Sequence, residues 1–321
     1  MKKILVTGGA GFIGSHFIKF MLAHTDCFII NVDKLTYAGN LDNLSGIDSI
    51  YQNRYRFFKG DICDNQNVSE ILKSEVDIVV NFAAESHVDR SIETPDLFAK
   101  TNIMGTLVLL QNAQKAWQSN LNEKLFIQIS TDEVYGSLSE ESPEMRFTED
   151  SPINPSSPYS ASKAAADMLA MSFYHTYRLP VIITRCSNNY GPNQYPEKLI
   201  PLMISNALQD KPLPVYGDGQ NIRDWIYVED NIKAINKILN KGIVGNVYNI
   251  GAENEIKNID LVKQILDILN KPYSLIQYVE DRAGHDRRYA ISASKLSSLT
   301  GWSAQANFTE KLKLTIEHYN K

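Results

Sequence analysis

The sequence predicts an α/β protein: a doubly wound, mostly parallel sheet followed by a smaller, loop-rich C-terminal part. Three observations carry this. Short β-rich apolar runs alternate with helical patterns up to Cys186, as in successive βαβ units. Those runs are apolar throughout rather than alternating, which is the pattern of strands covered on both faces. After Cys186 the rhythm gives way to stretches rich in Pro, Gly and Asn, which mark loops.

In order, KILVTGG, FIINVDK, YRFFKGDI, DIVVNFAA, KLFIQIST and PVIITRCS read as strands. Between them FIGSHFIKFMLAH, NVSEILKSE, FAKTNIMGTLVLLQNAQKAW and SASKAAADMLAMSFYHTY read as helices. SNNYGPNQYPEKLIP and KPLPVYGDGQNIRD read as loops with a short helix. NVYNIG is a further strand, and helices follow near 259–270 and 308–319. The expected division is a nucleotide-binding domain over 1–186, rejoined by segments near 222–250, with 187–321 mainly binding substrate.

Composition narrows the function classes. At 321 residues the chain buries a large core. A formal net charge of −5 leaves no basic footprint for nucleic acid. Cys27, Cys63 and Cys186 are odd in number and widely spaced. They read as reduced, buried packing residues of a cytoplasmic protein, not as disulfides or metal ligands. The N-terminal MKKILVTGG is too short in its apolar part for a signal peptide, and no run reaches membrane-spanning length.

The first chemical motif is ILVTGGAGFIGSHF, a strand, a glycine turn and a helix start. Gly8, Gly11 and Gly14 allow a tight turn and close backbone approach to a pyrophosphate at a helix N-terminus. IINVDK then ends a strand with Asp33, nineteen residues after Gly14. An acid there accepts hydrogen bonds from a ribose 2′-hydroxyl and repels a 2′-phosphate, which favours NAD over NADP. The expected architecture is therefore of Rossmann type.

The second motif is ISTDEVYG, with Thr131, Asp132 and Glu133 at the end of a core strand. Adjacent buried carboxylates are costly. They read either as a plain turn or as a paired acid and base. The third is SPYSASKAAAD, where Tyr159 and Lys163 are four apart and share a helical face. A lysine near a phenol lowers its pKa and makes it a base. The pair alone reads equally as exposed helix residues. Tyr55 and Lys59 repeat the spacing, but on a strand.

Together Gly8–Gly14, Thr131, Tyr159 and Lys163 resemble the extended short-chain dehydrogenase/reductase superfamily. Within it STDEVYG, AAESHVDRSI, RCSNNYGPNQYPEKLIP, YGDGQNIRDWIYV and DRAGHDRRYAI are similar to the dTDP-glucose 4,6-dehydratases over nearly the whole chain. Ala283 is a departure, since many members carry Pro there. The resemblance implies a lyase with tightly bound NAD that converts dTDP-glucose to dTDP-4-keto-6-deoxyglucose. Tyr159 would be the base at C4, Glu133 the base at C5 and Asp132 the acid at C6. Thr131 would bond the C4 oxygen and Lys163 the nicotinamide ribose.

The resemblance extends the cofactor contacts to Phe12, Ile13, Lys34, Leu35, Thr36, Asp61, Ile62, Ala83, Ala84, Ser86, Thr101 and Asn189. For the substrate it implies Ser86, His87, Asn188, Lys198, Leu199, Pro214, Tyr216, Arg223, Asn258, Arg282 and His285. His87 also reads as a loop histidine, and Arg90 as a residue that holds its loop. No metal is expected. Family members pair through the helices near 96–118 and 159–178, so a homodimer is expected. A UDP-sugar 4,6-dehydratase or 4-epimerase is the nearest rival. Epimerases need no elimination pair, so Asp132 with Glu133 argues against that activity.

Overall fold

The computed structural model describes residues 1–320. Its strands are β1 (Lys3–Thr7), β2 (Phe28–Asp33), β3 (Tyr55–Lys59), β4 (Ile78–Asn81), β5 (Leu125–Thr131) and β6 (Val181–Cys186), then β7 (Asn188–Tyr190), β8 (Leu213–Tyr216), β9 (Ile222–Tyr227), β10 (Val247–Ile250), β11 (Glu255–Lys257) and β12 (Ile276–Val279). Seven form one sheet in the order β10-β6-β5-β4-β1-β2-β3, with every neighbouring pair parallel. The order reverses between β1 and β4. In a doubly wound sheet the crevice outside the strand ends at that point is where ligands bind. Thr7, Asp33, Asn81, Thr131 and Cys186 end their strands at this edge.

Alternate residues of each strand feed two separate cores. Ile4, Val6, Ile29, Val80 and Ile127 face one side, where they pack with Phe17, Ile18 and Leu22 of helix Phe12–His24. Leu5, Ile30, Val79 and Phe126 face the other, against Val68, Leu109, Leu110, Ala170 and Phe173. Burying each such side chain contributes about 1.5–3 kcal/mol. Late segments join the first core: Ile232, Ile235 and Ile238 of helix Val228–Lys241, Tyr248 and Ile250 of β10, and Leu296 and Trp302. A third core lies apart, between β7, β8, β9 and the helices Leu199–Leu208, Asn258–Leu269 and Phe308–Tyr319.

Three local readings change. The stretch 211–224, expected as loop, holds β8 and enters β9. β8 pairs only with β12, and a two-stranded pair tolerates Pro214 at its edge. β9 sits between β11 and β7. The helix expected over 98–117 is interrupted: Ala99–Gly105 is wound as a π-helix before Thr106–Trp117. There Asn102 donates to the Glu85 carbonyl at 3.0 Å and to Ser162 Oγ at 2.8 Å. A π-turn of this kind is common beside functional sites. Finally, Cys27 and Cys186 are buried but Cys63 is half-buried; all three are free thiols.

Candidate active site

A cleft of about 300 Å³ opens along the carboxyl edge of the large sheet. The glycine turn forms its floor. Gly8 has φ +69°, and a Cβ there would lie 2.7 Å from the Ala83 nitrogen. A Cβ at Gly14 would lie 2.3 Å from the Gly8 carbonyl oxygen. Helix Phe12–His24 starts at Gly11 with no acid in its first turn, so its N-terminus is open to an anion. Asp33 closes β2 and accepts backbone N–H groups of Ala10 at 2.9 Å and Leu35 at 2.8 Å. Burial raises its pKa while these two bonds pull it back. Lys34 is paired with Asp61 at 2.8 Å, so its charge is already matched and does not argue for a 2′-phosphate. The cradle fits a dinucleotide with a free 2′-hydroxyl.

The cleft brings together nearly every expected cofactor residue: Gly8, Gly11, Phe12, Ile13, Gly14, Asp33, Lys34, Thr36, Asp61, Ile62, Ala83, Ala84, Ser86, Thr101, Tyr159, Lys163 and Asn189. Leu35 is not in its wall. It sits at φ 55° and contributes its N–H to Asp33 instead.

At the far end β5 gives way to a short 3₁₀ turn, Asp132–Tyr135, capped by Thr131. The strand's alternation stops there, and the two carboxylates enter different surroundings. Asp132 is 2 % exposed, and its Oδ2 has no hydrogen-bond partner. Burial, then the Glu133 and Asp224 carboxylates, push its pKa well up. Glu133 is also raised by burial, but Arg282, Lys198 and Arg223 pull it back. Both acids are raised, but Asp132 more strongly, while the three cations chiefly favour the charged form of Glu133; such a separation is what acid–base chemistry by two carboxyls at one site uses.

Tyr159 and Lys163 lie on helix Pro158–Tyr177, whose start is fixed by a Ser157–Ser160 capping box. Both side chains are buried and both line the cleft. Lys163 does not lower the phenol here. Its Nζ donates to the Ile129 carbonyl at 2.6 Å, and burial lowers its own pKa. Burial and then Glu133 push the Tyr159 phenol well up, with a hydrogen bond from Thr131 acting against them. Tyr55, of the repeated spacing, sits in β3 with its hydroxyl accepting from Asn31 at 2.9 Å.

The expected substrate residues form a second group. Ser86, Thr131, Asn188 and Lys198 line the cleft. Asp89 gathers the Tyr216 hydroxyl at 3.0 Å and Arg282 at 3.6 Å. The His285 ring meets Asp281 at 2.6 Å and Tyr216 edge-on. Arg223 donates to the carbonyls of Ile222 and Asp286 at 2.7 and 2.9 Å. His87 caps helix Val88–Glu93, and Arg90 pairs with Glu197 at 3.4 Å while lying over the Tyr37 ring. His87, Leu199, Pro214, Tyr216, Arg223, Asn258, Arg282 and His285 stand outside the cleft wall; Asn258 N–H donates to the Asn221 carbonyl at 2.9 Å.

A sequence model of the GDP-mannose 4,6 dehydratase family matches residues 5–315. A probable dTDP-glucose 4,6-dehydratase of Sinorhizobium fredii is 51% identical, covering 99% of this chain and 92% of that protein. The chain belongs to the dTDP-glucose 4,6-dehydratase family. The family's Streptomyces venezuelae enzyme, solved with NAD and TYD bound, superposes with a TM-score of 0.93 at 44% identity, covering 99% of this chain and 97% of that one. UDP-glucose 4-epimerase of Thermotoga maritima, solved with UDP-glucose, reaches a TM-score of 0.89 at 30% identity over 99% of this chain and 98% of that one. Backbone shape therefore does not separate the two activities; the side chains do.

Several residues lie beyond those expected from sequence: Glu85, Gln194 and Tyr195 are among those lining the cleft, and Tyr289 lies behind Arg223. Tyr289 is 3 % exposed. Its phenol is pushed well up by burial and by Glu133, and the Arg223 guanidinium lies 4.3 Å over its ring. It falls within the stretch DRAGHDRRYAI, so the signal was present. Cys186 and Ser187 also line the cleft; their position at the end of a core strand pointed there.

Proposed function

We propose that the chain is an NAD-dependent hydro-lyase that removes water from dTDP-glucose to give dTDP-4-keto-6-deoxyglucose. The observation that carries this reading is the contrast between Asp132 and Glu133, which share a strand end with Thr131 and lie in one cleft with Tyr159. An oxidation or an epimerisation alone has no use for a second, protonated acid.

Gly8, Gly11, Gly14 and Asp33 hold the dinucleotide, with Lys163 at the nicotinamide ribose. When bound, NAD would supply the hydride acceptor for oxidation at C4 and the hydride donor for reduction at C6. Tyr159 takes the C4 hydroxyl proton as its phenolate, a form that burial and Glu133 oppose and that the positive charge of a bound nicotinamide would favour, and the Thr131 hydroxyl bonds the C4 oxygen. The new ketone makes the C5 hydrogen acidic, and Glu133 removes it as a proton. Asp132 gives its proton to the C6 hydroxyl, which leaves as water. A proton returns to C5 as C6 is reduced, so the sugar undergoes no net redox change. Lys198, Arg223 and Arg282 supply positive charge for the diphosphate. Ser86, His87, Asn188, Leu199, Pro214, Tyr216, Asn258 and His285 frame the nucleotide and the sugar.

The site lies between a nucleotide-binding unit, 1–186 with segments near 222–250, and a substrate-binding unit within 187–321. The third core supports a separate C-terminal unit, with β9 belonging to it and with residues 228–250, Leu296 and Trp302 packing on the first core. The enzyme acts as a homodimer. Leu97, Met104 and Met168 are exposed on the helices near 96–118 and 158–177, which supports pairing there. Three free thiols support a cytoplasmic setting. Among the described residues no helix is long and apolar enough to cross a membrane. The deciding experiment is incubation with dTDP-glucose and with UDP-glucose separately, followed by mass measurement. Loss of one water from dTDP-glucose is expected. Unchanged mass for both, or isomerisation without water loss, rejects the reading.

A further inference from the structure

Asp286 ties together four pieces of the site. One carboxylate oxygen accepts the Ser156 hydroxyl at 2.6 Å and the other accepts the Tyr289 hydroxyl at 2.5 Å. Its backbone carbonyl accepts Arg223 Nη2 at 2.9 Å and Asn221 Nδ2 at 3.2 Å. The side chain is 7 % exposed. Ser156 stands immediately before the capping box that starts the Tyr159 helix. The turn holding Asp286 is pressed against that point, because a Cβ on Gly284 would lie 2.7 Å from the Ser156 carbonyl oxygen. Tyr289 packs under the Arg223 guanidinium, which lies 4.3 Å from its ring centre, and both groups feel the Glu133 carboxylate. One carboxylate therefore ties the entry of the Tyr159 helix to the Tyr289–Arg223 pair.

We propose that Asp286 is a positioning residue for the elimination. It holds the Tyr289 phenol and the Arg223 guanidinium in register with the Tyr159 helix, so that the space between Tyr159 and Glu133 keeps a fixed width. This rests on the dehydratase reading above. Hydroxyls bonded to a carboxylate make short, strong contacts. The two here fix both ends of the span, where neutral partners would leave a looser one. Misplacement by about 1 Å costs reactions of this kind on the order of 10²-fold. The width matters most after oxidation, when Glu133 must reach a carbon acid whose position is set from the Tyr159 side.

The test compares Asp286→Asn, Tyr289→Phe and the double variant in the holoenzyme, each step being read separately. Enzyme-bound NADH formed on mixing with dTDP-glucose reports C4 oxidation. Deuterium entering C5 from heavy water reports proton removal. For Asp286→Asn, exchange at C5 should fall by about 10²-fold, while NADH formation falls by less than tenfold and bound NAD and the melting temperature stay near wild type. The double variant should be no slower at C5 than the slower of the two single variants, because either change already severs the span. Losses that multiply in the double variant, or equal loss of both steps, overturn the positioning role. If Asp286→Asn proves unstable, Ser156→Ala breaks the other end, and unchanged C5 exchange there overturns it as well. Failure of wild-type enzyme to release water would instead reject the dehydratase reading.

Discussion

The Lys163 ammonium is bonded to the Ile129 carbonyl at 2.6 Å, not to the Tyr159 phenol. The carbonyl belongs to β5, two residues before Thr131, so the helix and the strand that carry the chemistry are joined by this bond. With the lysine turned to the backbone, burial and Glu133 keep the phenol protonated. In cofactor-stripped enzyme, Tyr159 should give no phenolate absorbance below pH 10, as a difference spectrum against Tyr159→Phe would show. A phenolate signal near neutral pH would place the lysine against the phenol instead.

Tyr159→Phe should abolish NADH formation on mixing with dTDP-glucose while the fold and the bound NAD persist. The ring keeps its edge contact with Phe98, and only the proton acceptor is lost. A near-normal rate of NADH formation in this variant would remove Tyr159 from the oxidation.

Asp132→Asn and Glu133→Gln should separate oxidation from elimination. Each should still form bound NADH, with turnover reduced by about 10²-fold or more. Exchange at C5 should fall mainly with Glu133→Gln, and C6 oxygen departure mainly with Asp132→Asn. If both lose NADH formation as fully as Tyr159→Phe, the pair belongs to the first step or to folding.

Asp132 also predicts a pH dependence of stability. Its folded pKa is raised, so between its unfolded value and that raised value the folded state binds the extra proton. Its stabilising contribution is complete below the unfolded value and is lost as pH rises through the folded one. Asp132→Asn removes this titration. Its melting temperature relative to wild type should therefore improve from pH 5 to pH 8. A constant difference would show that the carboxyl ionises normally in the fold.

Gly8→Ala should lose bound NAD and destabilise the protein by about 1–3 kcal/mol, because a Cβ at φ +69° would meet the Ala83 backbone. Retained NAD after desalting, with an unchanged melting temperature, would show that the turn relaxes freely.

Much of this is legible in the sequence because the early strands are apolar runs, several of them ended by polar residues: Asp33, Asn81 and Thr131. Such endings mark the edge of a parallel sheet from the order of residues alone. β9 reads as loop for a related reason. Its Arg223 and Asp224 look like surface charges, yet they are 5 % and 1 % exposed, since β9 is the middle strand of its three-stranded sheet. Asp224 is satisfied by the Ala252 and Asn254 N–H groups at 3.0 and 2.8 Å, partners that no local pattern announces. Spacing likewise puts Tyr159 and Lys163 on one helical face but carries no information on the Ile129 carbonyl opposite.

The late arrival of β10 bears on how the chain is made. During synthesis β6 emerges with one side unpaired, and its partner Val247–Ile250 follows only after the entire stretch from Ser187 to Asn246 has been translated. At about 5–20 residues per second, the ribosome takes several seconds to deliver it. Through that interval a strand edge bearing Val181, Ile182 and Ile183 has its backbone groups unpaired, the kind of surface that recruits other chains. The nascent protein is thus most prone to aggregate after its catalytic helix is complete and before its sheet is closed. Slower translation between those points would lengthen that window.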